Sequence, residues 1–233
     1  MSPTDRIASL SASPEEETDK RAILIRAAIR VFADRGFDAA TLRDITHLAG
    51  ANIAAVNYYF RSKDELLKSA LESCLAPLNA ARVQALNAIA PGGRGKTPTL
   101  EATVEALIRP VVELGVDDAG GRAPVRLLLQ ARALPRPFVN QILADQFDPV
   151  HSRFRAIFNE LLPDLGPDEI ALRYEFARGA VMQIVADLDP VMRPVPELRI
   201  ARGPVDNERV IRSLVVFICS GMRAPPGGGP APS

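Results

Sequence analysis

Apolar residues recur at intervals of three and four along this chain, and no stretch alternates strictly between apolar and polar, so the pattern predicts helices throughout. The first runs from about Asp19 to Arg35, with Leu24, Ala27, Ala28, Val31 and Phe32 on one stripe. Thr18 and Asp19 are its expected caps and Gly36 its stop. Thr41 opens a short second helix, with Asp44 three residues on as the acid of a capping box and Gly50 closing it. Asn52 caps a third helix that reaches Tyr59 or Phe60, and Ser62 with Glu65 launches a fourth to about Ala90, bent at Pro77. After a Gly- and Pro-rich loop over 91–98, helices follow at about 99–115, 123–134, 136–162 and 167–188. The stretch 189–206 holds Pro190, Pro194, Pro196 and Pro204 and reads as irregular; a last helix spans about 207–222. The expected fold is all-α, with about nine helices.

Composition narrows this picture. Of 233 residues 47% are hydrophobic, ample for a core, but 1–18 and 223–233 are polar or Pro/Gly-rich and read as disordered tails. The net charge is zero, yet the window from Lys20 to Lys63 holds eight bases against Asp34, Asp38 and Asp44, or 8 − 3 = +5. A basic head on a neutral to acidic body suits a protein that finds DNA without adhering to all of it. Cys74 and Cys219 sit in apolar helical patterns with no ligand or disulfide spacing, so both read as core residues. No signal peptide is visible, and the apolar run Leu214–Cys219 is far shorter than the ~20 residues that span a bilayer, so the expected location is cytoplasmic with no membrane partner.

The second and third helices carry the functional signal. Each is too short to stand alone, and a tight turn at Gly50-Ala51 joins them, which is the helix-turn-helix pattern. Ile45, Leu48, Val56 and Phe60 are placed to close a small core with Leu24 and Phe32. Within the third helix only Val56 and Phe60 belong inside. Ile53, Ala54, Ala55 and Asn57 lie on or beside the other face, small enough to bring backbone close to a major groove. Ile53 and the alanines suit a thymine methyl, and Asn57 suits an adenine edge. Tyr58, Tyr59 and Lys63 stand where a helix exit meets phosphates, and the capped starts at Thr41, Asn52 and Ser62 each offer backbone N–H groups to an anion. A helical hairpin of another purpose shares the bare pattern.

The stretch Leu24-Ile25-Arg26-Ala27-Ala28, then Phe32 to Phe37, Thr41 to Ile45, Ala49-Gly50 and Val56 to Leu66, closely resembles the tetracycline-repressor (TetR) family, in order and with the right gaps. The resemblance implies a DNA-binding head over 19–66 and an effector-binding and dimerisation domain over 67–222. It implies a homodimer whose third helices enter successive major grooves of a palindromic double-stranded DNA operator, released by a small-molecule effector. By position, Thr41, Arg43 and Asn52 through Ala55 approach bases or nearby phosphates, and Tyr58, Tyr59 and Lys63 hold the backbone. Two positions depart from the family pattern: Asn57 where Tyr is common, and Tyr59 where His is frequent. Dimerisation is expected from Phe176, Ala177, Ala180 and Ile184 together with Val210, Leu214, Phe217 and Ile218, faces that otherwise serve the monomer core.

Other signals are weaker. Ala90 to Thr97 approximates a phosphate-binding loop but lacks the preceding strand and is followed by Pro98, so it reads as a plain loop. His47 and His151 have no ligand spacing, and no catalytic set, metal site or cofactor motif is apparent, which argues against an enzyme. His151 shares a stripe with Phe147, Phe154 and Phe158 that packs as core or lines a pocket; the candidate effector-contacting residues are Gln130, Phe147, His151 and Phe154. A helical ligand-binding protein with a degenerate head is the competing reading.

Overall fold

The computed structural model describes residues 14–89, 98–114, 122–133, 136–189, 191–192 and 206–226. Among these, all regular structure is helical: α1 (Pro14–Ala39), α2 (Leu42–Ala49), α3 (Ile53–Phe60), α4 (Lys63–Ile89), α5 (Leu100–Val112), α6 (Ala123–Ala133), α7 (Pro137–Leu161), α8 (Pro167–Asp187) and α9 (Asn207–Arg223). They form two compact units, Met1–Ser73 and Cys74–Ser233, whose boundary falls inside α4. The expected head lies within the first. The loop over 90–97, most of 189–206 and the chain beyond 226 lie outside the described residues.

In the first unit the helix ends follow local chemistry. Thr41 Oγ1 accepts from the Asp44 amide at 3.1 Å, while Asp44 Oδ2 accepts from the Thr41 amide at 3.0 Å, a complete capping box. Asn52 Oδ1 accepts from the Ala55 amide at 2.9 Å, and Ser62 Oγ from the Glu65 amide at 3.1 Å. Gly50 turns the chain between α2 and α3 at φ 61°, ψ 30°. The start of α1 departs from expectation. Helix begins at Pro14, so 14–18 are helical rather than tail, and Thr18 and Asp19 lie inside the helix instead of capping it. At its other end Gly36, at φ 77°, breaks the helix as expected, although a further helical turn reaches Ala39.

Leu24, Ala28, Phe32, Ile45, Val56 and Phe60 are all buried, so α1, α2 and α3 close the small core that their spacing predicts. Leu48 is the exception. It is 50% exposed, because the core side of an eight-residue helix is filled by Ile45 and Thr46 and leaves no room for a third layer.

In the second unit α5 is central, packed by α7, α8 and α9. Thr103, Val104, Leu107, Ile108, Val111 and Val112 are all buried. Two internal prolines, Pro110 in α5 and Pro149 in α7, each remove a helix N–H. Buried donors of α4 reach carbonyls beside both gaps: Arg82 Nε donates to Leu107 O at 3.1 Å, and Asn79 Nδ2 to Gln146 O at 2.5 Å. Arg173 gathers the end of α9, with Nη1 donating to the carbonyls of Gly221, Met222 and Ala224 and Nη2 to that of Pro225. Arg122 Nη1 donates to Val112 O at 2.7 Å at the end of α5. Arg109 joins α5 to α9 through Glu208 while holding Glu105 and Glu113. Asp189, fully buried after α8, pairs with Arg126 of α6 at 2.7 Å.

The faces expected for dimerisation divide. Ala177, Leu214 and Ile218 are buried in the monomer core, and Ala180, Ile184 and Val210 are half-buried. Phe176 and Phe217 instead point outward, 64% and 68% exposed, accompanied by Leu172 and Val216.

Because the space around a Gly50 Cβ is open, substitution there costs backbone strain alone. Gly50→Val is expected to destabilise the protein by roughly 1–2 kcal/mol, the penalty of a branched residue in the left-handed region, and Gly50→Asn by less. Urea midpoints of the two variants check the order; equal midpoints would show that the turn relaxes to another geometry.

Candidate functional site

On the head, the caps that end α2 and start α3 leave one face of α3 outside. Asn52, Ile53, Ala54, Asn57 and Tyr58 are exposed, Ala55 and Tyr59 are half-buried, and Val56 and Phe60 anchor the opposite face. Ile53 is 40% and Tyr58 70% exposed, large apolar surface for a helix this short. Tyr58 and Tyr59 meet edge to face at 5.0 Å, which fixes both phenols without burying Tyr58. Lys63, half-buried at the start of α4, holds its Nζ 4.4 Å from the centre of the Phe37 ring.

Thr41 and Arg43 are exposed at the start of α2. The Thr41 hydroxyl is committed to the capping box: besides accepting from the Asp44 amide, it donates to Asp44 Oδ2 at 2.6 Å. Those bonds, with Arg35 Nη1 at 2.8 Å from Oδ1, hold the Asp44 carboxyl below the usual carboxylate range. Two of the bases in the head therefore serve the fold. Arg35 is paired with Asp44, and Arg21 lies over the Phe60 ring and donates to Ser69 Oγ at 3.3 Å.

Within the second unit a small cavity of about 30 Å³ lies among α4, α5, α6, α7 and α8. That is about the volume of one water, well below the ~300 Å³ of a typical ligand pocket, so a larger guest enters only if the walls move. Its walls are aliphatic and aromatic except for His151 and three guanidinium groups, those of Arg82, Arg132 and Arg178. Phe147 and His151 line it and stack at 5.0 Å. Phe154 is fully buried in the core against Phe158, and Gln130 is half-buried on α6; neither lines the cavity. The three arginines carried no signal in the sequence, where each is one more charged residue on an amphipathic helix.

His151 is buried, its edge meets Tyr174 at 5.4 Å, and its Nε2 has no hydrogen-bond partner among the described residues. Desolvation, then the charges of Arg178, Arg82, Arg155 and Arg132, lower its pKa to about 3, so the ring is neutral. Burial also lowers Arg82 to about 10 and raises the Cys74 and Cys219 thiols to about 12 and 11, leaving both cysteines unreactive core residues. An open groove of about 450 Å³ between α4 and α5 is floored by alanines, and its charged rim, Glu105, Arg109 and Glu113, is paired within itself. No cluster of three metal-ligating side chains occurs among the described residues. None of their helices is long and apolar enough to cross a membrane.

Comparison with known proteins matches residues 24–70 to the bacterial regulatory proteins of the tetR family, and residues 105–221 to the tetracyclin repressor-like C-terminal domain. The chain belongs to the TetR family. Among relatives, the HTH-type transcriptional regulator BetI of Rhizobium meliloti is 37% identical over 93 residues, 40% of this chain and 42% of that protein. The HTH-type nicotine-responsive transcriptional repressor HdnoR of Paenarthrobacter nicotinovorans is 45% identical over 60 residues, 26% of this chain and 31% of that protein. The matched stretches thus span less than half of either relative. Solved transcriptional regulators superpose on most of this chain at low identity. The ketosteroid regulator KstR2 of Mycobacterium tuberculosis superposes with a TM-score of 0.59 at 22% identity, covering 87% of this chain and 94% of that one. The regulator FadR of Bacillus subtilis, solved with stearoyl-CoA, gives 0.62 at 16% identity, covering 86% and 98%. For this TetR-family chain, these likenesses establish the fold.

The buried ring also predicts a pH dependence. His151 is harder to protonate folded than unfolded, where its ordinary value is 6.5, so as pH falls below that value the unfolded state gains the proton and stability drops until about pH 3. The urea midpoint is expected to fall between about pH 7.5 and 5.5, and His151→Leu to flatten that fall. An equal fall in both proteins would show that His151 is solvated in the folded state.

Proposed function

We propose that this protein is a transcriptional repressor that binds a palindromic operator as a homodimer and releases it when a small molecule occupies the second unit. The observation that carries the reading is the exposed face of α3. A helix of eight residues, capped at Asn52 and presented by the left-handed Gly50, shows Ile53, Ala54 and Asn57 outward with Tyr58 beside them. Small and amide side chains there let the helix lie close to base edges, while Thr41, Arg43, Asn52, Ala55, Tyr58, Tyr59 and Lys63 surround them with groups suited to bases and phosphates. The protein acts where the operator is, in the bacterial cytoplasm, and no chemistry of its own is assigned to it.

The homodimer rests on α8 and α9. These helices pack together, and each leaves apolar side chains outside: Leu172 and Phe176 on one, Val216 and Phe217 on the other. Aromatic rings two-thirds exposed on a folded surface mark an interface. Two copies related by a two-fold axis match the symmetry of a palindrome. The α4 helix, which begins at Lys63 and runs on to Ile89 beside the cavity, is the continuous element through which effector binding shifts the operator-competent population.

The deciding experiment is selection of bound sequences from random duplex DNA by the full chain. A recovered palindrome with half-sites spaced for a two-fold dimer is expected; salt-sensitive, sequence-blind binding would favour a ligand-binding protein whose head no longer reads DNA. On the recovered operator, Lys63→Ala should lower the salt slope by ~1 per head and weaken all sequences alike, whereas Asn57→Ala should change which sequences are preferred. An unchanged slope removes Lys63 from the phosphate contacts. Phe176→Lys combined with Phe217→Lys is expected to yield a monomer in analytical ultracentrifugation and to lose the palindrome. A dimer that survives both changes has its interface elsewhere.

A further inference from the structure

The cavity of the second unit carries an imbalance of charge. Arg82 is 5% exposed, and its hydrogen bonds go only to neutral oxygens, Leu107 O at 3.1 Å and Asn79 Oδ1 at 3.5 Å. Among the described residues no carboxylate bonds it. Arg178 lines the same cavity and lies 5.9 Å from the Phe147 and Tyr174 ring centres. Its one carboxylate, Glu175 at 2.5 Å, is itself 54% exposed and free to turn to solvent. Arg132 of α6 also lines the cavity and is exposed, placing it at the rim. Three guanidinium groups thus converge on an apolar space, with one solvent-facing acid between them.

Such an arrangement is costly unless something supplies the opposite charge, because a buried cation without a partner loses its hydration and gains nothing in return. Guanidinium is also the group best shaped to grip a carboxylate or phosphate through paired N–H bonds. The remaining walls offer no polar partner except the neutral His151 ring, so the rest of the guest must be apolar. Met182 among those walls is a side chain that reshapes easily around it, as the small volume requires.

We propose that the effector is an amphipathic anion. Its carboxylate or phosphate is held by Arg82 and Arg178 with Arg132 at the rim, and its apolar body opens the cavity between Phe147 and Met182. This rests on the reading of the second unit as the effector domain and adds the chemical class. A neutral analogue leaves the guanidinium charge uncompensated, and an amine adds to it, so the selectivity is built in by repulsion as well as attraction.

The test uses the full chain and four eight-carbon probes: octanoate, octyl phosphate, 1-octanol and octylamine. Binding is measured by calorimetry, and operator affinity by fluorescence anisotropy of the selected palindrome. At least one anion is expected to bind about tenfold or more tightly than 1-octanol, and octylamine not at all. The anion that binds more tightly identifies the headgroup. Arg132→Gln and Arg178→Gln should each weaken the anion about tenfold while leaving 1-octanol unchanged; these exposed or half-buried positions tolerate substitution better than Arg82, whose loss also removes a contact to α5. Equal binding of octanoate, octyl phosphate and 1-octanol overturns the proposal. So does the absence of binding by either anion at about 1 mM, a millimolar affinity being the least such a site should give, or anion binding unaffected by both variants. Anions that bind without loosening the operator leave the anion site standing and remove the release mechanism. Operator release by 1-octanol alone does the reverse.

Discussion

The second unit depends on how α4 is tied to its neighbours. Asn79 and Arg82, one turn apart on the same face, are both buried, and each spends a donor on a main-chain carbonyl of a different helix. The carbonyls are not arbitrary. Leu107 lies three residues before Pro110, and Gln146 three before Pro149, on the stretches where a proline ring opens the helical ladder. The proline removes the helical donor of the carbonyl four residues back, Ala106 or Asp145, and a donor from one face of α4 bonds the next carbonyl along each opened turn. That pairing fixes α4 against α5 and α7 with hydrogen bonds whose direction is specific, where apolar packing alone would tolerate sliding. The same Arg82 lines the cavity, so whatever changes its surroundings bears directly on the helix register that it holds.

Arginine plays this part repeatedly. Arg173 closes the end of α9 with four carbonyls, and Arg122 closes the end of α5. Both supply donors to carbonyls of a last helical turn that have no partner within the helix. The guanidinium fork suits the task because several N–H groups diverge from one plane, while its charge favours the negative end of the helix dipole. Arg173 also has Glu169 at 2.7 Å, one turn earlier on α8, which offsets the cost of burying it. Arg82 has no such acid. Arg173 is thus completed by an acid of its own helix, whereas Arg82, which also faces the cavity, is left with neutral oxygens alone.

Helix order and most helix limits were legible because they are written in short-range chemistry. Thr41, Asn52 and Ser62 each cap within three residues, and Gly50 turns where only its backbone freedom serves. The outward face of α3 was legible for the same reason: Asn52 fixes where the helix starts, and Val56 and Phe60, four apart, set its inward side. Leu48 was not, since whether a leucine on a short helix is covered depends on a partner far away in sequence. Thr18 and Asp19 look like caps, yet helix starts earlier, at Pro14, a favoured first-turn residue whose missing N–H costs nothing there. Of the residues proposed for the effector, the aromatic stripe pointed to Phe147 and His151. Arg82, Arg132 and Arg178 come from three helices, and no local pattern marks residues that meet only after packing.

This contrast explains why the two units differ in what they disclose. The surface that we propose reads DNA needs one geometry, and short capped helices set it, so its determinants sit within a few residues of one another and leave a recognisable string. A cavity that accepts a small molecule has many solutions: any set of apolar side chains with a few polar groups suffices, contributed by whichever helices happen to meet. Its chemistry is therefore encoded in isolated positions whose neighbours in sequence are unremarkable. What survives to be read in the structure is the imbalance of charge. Three cations around an apolar space, against one acid that faces solvent, bear on the sign of a guest more firmly than the shape of so small a cavity does on its outline. Shape can be remade by rotating side chains, but the charge of an arginine cannot be discarded.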